Sequence, residues 1–231
     1  MLASAIRDIK ALQPLQHEGR VTALEGLRIE AAGPAQALRL GAFVRFGSKN
    51  GPRGELVGFQ GDRAVLLASE PLDGLAPGAP VLFASGLDVV RPSDAWLGRV
   101  IDAFAEPLDG KGPLRMGGKA RPVRSIAPNA QSRARVDQRM GLGVKSIDVF
   151  APCARGQRLG VFAGSGVGKS TIMSMLARGA EADVIVIGLI GERGREVREF
   201  IEDTLGQDGL AKSVIVTATS DEAAPKRRRA A

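Results

Sequence analysis

Ala163-Gly164-Ser165-Gly166-Val167-Gly168-Lys169-Ser170-Thr171 is the stretch on which the reading of this 231-residue chain turns. It follows the apolar run Leu159-Gly160-Val161-Phe162, read as a strand, and opens a helical pattern over Thr171 to Arg178. Phosphate chemistry sets the spacing. Glycines let the backbone close around a phosphate with successive N–H groups turned inward, and the helix that follows adds the positive end of its dipole. Lys169 reaches the β- and γ-phosphates as a point charge, and the Ser170 hydroxyl is placed to ligate Mg²⁺. Gly164, Ser165, Gly166, Val167, Gly168, Lys169, Ser170 and Thr171 are the candidate nucleotide-binding residues. Ala163 stands where this pattern usually begins with glycine. A strand before and an amphipathic helix after favour nucleotide binding over an ordinary glycine-rich turn, but such a loop names no reaction.

Working outward, Val184 to Ile190 reads as a buried strand, Arg195 to Leu205 as a helix and Ser213 to Thr219 as a strand. That succession predicts an α/β domain built on a parallel sheet. Gly191-Glu192-Arg193-Gly194 follows the first of these strands at its carboxyl end, the edge where open α/β sheets bind ligands. There a carboxylate can hold the attacking water or take its proton. On spacing alone, Glu192 could equally cap the helix that carries Glu196 and Glu199.

Toward the amino terminus the pattern changes. From Gly19 to about Val90, the runs Arg20–Glu30, Ala37–Phe46, Gly54–Gln60, Arg63–Ser69 and Val81–Ala84 are split by glycine and proline, as in a small antiparallel barrel or sandwich. Leu2, Ile6, Ile9 and Leu12 form the stripe of a short amphipathic helix, suited to a partner, to a membrane surface or to its own domain. Arg91-Pro92-Ser93-Asp94 marks a boundary. The expected organisation is a helix in 1–18, a β-barrel domain over 19–92 and a nucleotide-binding α/β domain over 93–231. Between Ala95 and Lys145 turn residues dominate, so regular structure there is expected to be sparse.

Charge and composition exclude other classes. The net charge of +7 is concentrated in Lys111–Lys145, where nine basic residues face the single acid Asp137, a local net of +8. The stretch reads as a polyanion site or as a solvated connector, and no aromatic residue interleaves it to stack on bases. One cysteine, Cys153, allows no internal disulfide, and the lone His17 leaves no Cys/His zinc cluster. The longest strongly apolar stretch, Val184 to Gly191, falls far short of the roughly 20 residues of a spanning helix. Charged residues also interrupt the apolar positions near the amino terminus, so no secretory signal is read and a cytoplasmic protein is the expectation.

Gly156-Gln157-Arg158 through Ser170, Gly191-Glu192-Arg193-Gly194-Arg195-Glu196-Val197-Arg198-Glu199-Phe200 and Thr217-Ala218-Thr219-Ser220-Asp221-Glu222 together resemble the ATPases of type III protein export, the flagellum-specific form above the virulence form. These are relatives of the catalytic subunits of rotary ATP synthases. Trp96-Leu97-Gly98-Arg99-Val100 and Pro107-Leu108-Asp109-Gly110 extend the resemblance over nearly the whole chain. It implies a RecA-like α/β domain behind a β-barrel, with ATP and Mg²⁺ as ligands. Lys169 and Ser170 would bind phosphate and Mg²⁺, Glu192 would be the catalytic carboxylate, and Arg193 would help hold the terminal phosphate. It also implies a homo-oligomeric ring, expected to be a hexamer, working with export-apparatus proteins, chaperones and cargo. Peripheral association with the inner face of the cell membrane and no specific nucleic-acid partner complete the picture. A rotary ATP synthase subunit is the near alternative, and an RNA translocase or nucleic-acid binder the distant one. Such ATPases carry a later Mg²⁺-associated Asp, an arginine finger and a helical C-terminal domain, none of which follows Asp221-Glu222, so the sequence reads as C-terminally incomplete. Taken alone, it is expected to be inactive.

Overall fold

The computed structural model describes residues 17–33, 38–84, 89–164 and 166–231, and the expected helix at 2–12 and Ser165 lie outside the described residues. Two compact units divide the chain, one taking the residues up to Val90 together with Glu222–Arg228, the other Arg91–Asp221 with Arg229–Ala231.

In the first unit β1 (His17–Glu25), β2 (Arg28–Ala32), β3 (Phe43–Phe46), β4 (Arg53–Gln60), β5 (Arg63–Ala68) and β6 (Pro80–Ala84) close into an antiparallel barrel in the order β1-β2-β5-β4-β3-β6. The run Arg20–Glu30, read as one strand, is a hairpin: Glu25 pairs with Arg28 across the two-residue loop Gly26-Leu27. Gly26 has φ 60°, the left-handed value that a tight hairpin needs at its first loop residue. The strand expected from Ala37 begins only at Phe43, after a turn at Leu40-Gly41. Alternating Val44, Phe46, Leu56, Leu66, Val81 and Phe83 fill the barrel. Each such side chain contributes on the order of 1.5–3 kcal/mol when removed from water. Gly54 is required by contact: a Cβ there would stand 2.7 Å from the Phe46 ring and 2.8 Å from the Leu67 carbonyl oxygen. Glu70 fastens β4 by accepting from Arg53 N at 2.7 Å and from Arg53 Nε at 2.9 Å. Burial pushes the Glu70 carboxyl upward, but hydrogen bonds from Arg53 outweigh it and hold the group below the usual range. Also within this unit, Arg228 donates to the buried Glu55 at 3.0 Å.

The chain continues through β7 (Val89–Val90), β8 (Arg99–Ile101), β9 (Arg121–Pro122), β10 (Arg139–Met140), α1 (Lys145–Phe150), β11 (Cys153–Ala154), α2 (Lys169–Gly179), β12 (Ile185–Ile190), α3 (Gly194–Glu199), a π-helical turn at Phe200–Leu205, α4 (Gly206–Ala211), β13 (Ser213–Ala218) and α5 (Ala224–Ala230). The second unit is organised by a parallel sheet in the order β12-β13-β8. Ile187, Leu189 and Ile215 bury one face of this sheet with Ala177 of α2 and with Val197 and Phe200 beyond it. Regular structure is indeed sparse over 102–144, but the three-residue strand β8 was not legible in the sequence. Its partners Val214–Val216 lie more than a hundred residues away. Buried Arg99 at its start is locked by Asp109, which accepts from Nε at 2.6 Å and from Nη2 at 2.9 Å.

Two further expectations are corrected. Leu159–Phe162 forms no strand: no described strand pairs with it, Phe162 is 96% exposed, and its ring folds back over Gly160 instead of entering a sheet. A strand exists through its partners, and apolar residues alone do not supply the ladder. The helix read over Arg195–Leu205 is α-helical only to Glu199 and then widens to a π-helix that ends at Gly206, whose φ is 69°. Among the described residues no helix is long and apolar enough to cross a membrane.

Candidate nucleotide-binding site

The phosphate loop leads into α2. Gly166 and Gly168 take φ 74° and 90°, which L side chains rarely adopt, and Gly168 is the N-cap of the helix. The first turn of α2 therefore opens its free backbone N–H groups onto the loop. Lys169 and Ser170 are exposed there, and among the described residues neither side chain has a hydrogen-bond or ion-pair partner. A free ammonium and a free hydroxyl beside unsatisfied N–H groups suit a polyphosphate and its divalent cation.

The far end of α2 is anchored by backbone contact. A Cβ on Gly143, whose φ is 73°, would lie 2.6 Å from Gly179 Cα. The sequence offered no signal for this contact beyond the glycines themselves.

Glu192 is carried by the loop after β12, and that loop is sewn to the end of β13: Gly191 N donates to Ala218 O at 2.7 Å, and Ser220 N donates to Glu192 O at 2.9 Å. A cavity of about 150 Å³ is lined by Ser170 and Met173 of α2, by Leu189 and Glu192, and by Glu196, Glu199, Phe200 and Thr204 of α3 and the π-turn. The fold thus brings Ser170 and Glu192, 22 positions apart in the sequence, onto one cavity at the carboxyl edge of the sheet. Lys169 and Arg193 are not among its lining residues. Arg193 is the N-cap of α3, its backbone N donates to Glu196 Oε2 at 3.4 Å, and its guanidinium lies 3.8 Å from Glu196 Oε1. Glu196 and Glu199 share the cavity with Glu192; their four- and three-residue spacing was the available signal.

Most of the basic stretch is exposed, but several of its charges are engaged: Lys111 donates to Gly98 O, Arg133 to Pro128 O and Arg139 to Asp148 O. Among the described residues no group of His, Cys, Asp and Glu could by itself hold a metal ion.

The described residues thus form a closed β-barrel and an α/β unit that carries a glycine-rich loop at the head of α2 and a carboxylate at the carboxyl edge of its sheet. Residues 143–231 match the nucleotide-binding domain of the ATP synthase alpha/beta family. It is 52% identical to the flagellum-specific ATP synthase of Caulobacter vibrioides, over 100% of this chain and 52% of that protein. It is 41% identical to the type 3 secretion system ATPase of Xanthomonas euvesicatoria, over 97% of this chain and 51% of that one. Among solved structures, the assembled ATPase EscN of an enteropathogenic E. coli type III secretion system, in complex with its central stalk EscO, matches with a TM-score of 0.82 at 38% identity. That match covers 92% of this chain and 51% of the other. The chain spans about half the length of these relatives.

Proposed function

We propose that the protein hydrolyses ATP to energise flagellum-specific type III protein export. The observation that carries the chemistry is the meeting of Ser170 and Glu192 on one cavity beside the phosphate loop. In this reading residues 19–92 are the barrel domain and 93–231 belong to the nucleotide-binding domain. Gly164 to Thr171 cradle the phosphates through backbone N–H groups, and Lys169 neutralises their terminal charge. Ser170 Oγ would hold Mg²⁺, which supplies charge neutralisation at the β- and γ-phosphates. Glu192 accepts a hydrogen bond from the attacking water, aligns it with the γ-phosphorus and takes its proton as the bond to the departing diphosphate breaks. Arg193, at the head of α3, helps hold the terminal phosphate.

Flagellar export is preferred to virulence secretion because the flagellar relative shares 52% of positions against 41%. By analogy with EscN, named as an assembled ATPase with a stalk, the protein works as a homo-oligomeric ring, a hexamer, with export-apparatus proteins, chaperones and cargo. Its place is the cytoplasm and the inner face of the cell membrane. The test is Lys169→Ala in the whole protein. Removing the ammonium should raise the Kd for ATP by about 10- to 100-fold, the weight of a charge-assisted contact, while the melting temperature stays near parental. Unchanged ATP affinity in an equilibrium titration would refute the assignment, and normal secretion of flagellar subunits by cells carrying the variant would refute the export role.

A further inference from the structure

The strand β13 reads Ser213-Val214-Ile215-Val216-Thr217-Ala218 and carries a hydroxyl where a valine would fit. Thr217 is 5% exposed, and its Oγ1 has no hydrogen-bond partner among the described residues. A buried hydroxyl without a partner costs about 1–3 kcal/mol, so the fold carries a penalty that an apolar residue of the same shape would avoid. Thr219, two residues on, differs: its side chain is hydrogen-bonded to the Asp221 carboxylate and holds that group below its usual range.

The place of the orphan is informative. Thr217 pairs in register with Leu189, which lines the cavity shared by Ser170 and Glu192. In a parallel sheet, partners in register point to the same face, so the Thr217 hydroxyl lies one strand over from that cavity wall, at the same level. The segment just after it is already tied to the Glu192 loop through Gly191 N to Ala218 O and Ser220 N to Glu192 O. The Glu192 carboxylate, for its part, has no hydrogen bond or ion pair among the described residues. An acid–base group must be oriented before it can work.

We infer that Thr217 is a positioning residue for Glu192: with nucleotide bound, its hydroxyl donates to the carboxylate through one water and fixes the orientation from which Glu192 holds the attacking water. The inference rests on the proposed role of Glu192 in hydrolysis. It assigns to the buried hydroxyl a partner that the described residues do not supply.

The experiment compares Thr217→Val, Thr217→Ser, Glu192→Gln and the double variant Thr217→Val/Glu192→Gln in the whole protein, by steady-state ATP turnover, ATP titration and thermal melting. Thr217→Val keeps the shape and loses the hydroxyl. It should lower kcat about tenfold, leave ATP affinity within about twofold, and leave the melting temperature equal to parental or higher. Thr217→Ser should restore kcat to within about twofold. The double variant should be no slower than Glu192→Gln alone, since both changes then interrupt one device. Parental kcat in Thr217→Val, or losses that multiply in the double variant, would overturn the inference while leaving the hydrolytic reading intact. A melting temperature well below parental in Thr217→Val would show that the hydroxyl already has a partner within the fold, and would overturn it too. Parental turnover in Glu192→Gln would instead bring down the proposed function itself, a separate outcome.

Discussion

Replacing Gly143 by alanine tests how the phosphate-loop helix is held, and its cost can be worked from geometry. The backbone there has φ 73°, so any L side chain pays about 1–2 kcal/mol for the left-handed conformation. The new Cβ would also stand 2.6, 2.7 and 2.8 Å from Gly179 Cα, O and C. These are backbone atoms at the end of α2 and cannot swing aside as a flexible side chain would. Forcing them apart adds about 1–3 kcal/mol, the range for overpacked interiors, for a total of roughly 2–5 kcal/mol. Gly156 is the control, since it has φ 82° but nothing within 4 Å of an added Cβ, so Gly156→Ala should show the conformational part alone, about 1–2 kcal/mol. Trp96, the one tryptophan of the chain, is buried in the α/β unit, so its fluorescence reports unfolding of that unit without a signal from the barrel. In a urea titration with a slope of about 1–3 kcal/mol/M, Gly143→Ala should lower the midpoint by on the order of 1–2 M, and Gly156→Ala by clearly less. Equal midpoints for the two variants would show that the contact between residues 143 and 179 does not exist in solution, and the anchoring of α2 would have to be abandoned.

Two other predictions concern charge. Hydrogen bonds from Arg99, then those from Lys111 N and Val100 N, hold the Asp109 carboxyl far below its usual range despite burial. The stability it contributes is therefore complete above the unfolded-state value near pH 4 and is lost as the pH falls below it. Asp109→Asn should unfold more easily at pH 7 and lose that acid-side decline, measured as urea midpoints by Trp96 fluorescence between pH 7 and 3. An unaltered pH profile would contradict the role of this fork. For the stretch from Lys111 to Lys145, any binding to single-stranded RNA should be weak, indifferent to sequence and steeply salt-dependent, because it would come from counterion release without base stacking. Submicromolar, base-selective binding at physiological salt, in a fluorescence-anisotropy titration, would favour a nucleic-acid translocase instead.

What could be read in the sequence is what local chemistry dictates. Gly166, Gly168, Lys169 and Ser170 form the pattern expected of a phosphate site, because backbone reversal, charge and hydroxyl must come at fixed spacing whatever the rest of the chain does. The apolar runs of β12 and β13 likewise identified two strands, although Val186 of β12 stands 69% exposed. Non-local structure was not legible. Arg99–Ile101 is too short to show a period, and it becomes a strand only because Val214–Val216 lies beside it. Leu159–Phe162 has the composition of a strand without a partner to make it one. The hairpin at Gly26-Leu27 was hidden because Leu27 continues the apolar run through the turn, and the glycine alone marks the reversal. At the site, Glu192 could be singled out as a carboxylate at a strand end. That it shares a cavity with Ser170, Glu196 and Glu199 required the packing of α2 against the π-helical turn Phe200–Leu205.

The central claim is that the Glu192 carboxylate aligns and deprotonates the attacking water, and Glu192→Gln in the whole protein addresses it most directly. The substitution preserves size and hydrogen-bonding reach while removing the base. Steady-state turnover should fall by about 10²- to 10⁴-fold, the range for acid–base groups, with ATP affinity in an equilibrium titration close to parental. A variant that binds ATP and hydrolyses it at the parental rate would contradict the account.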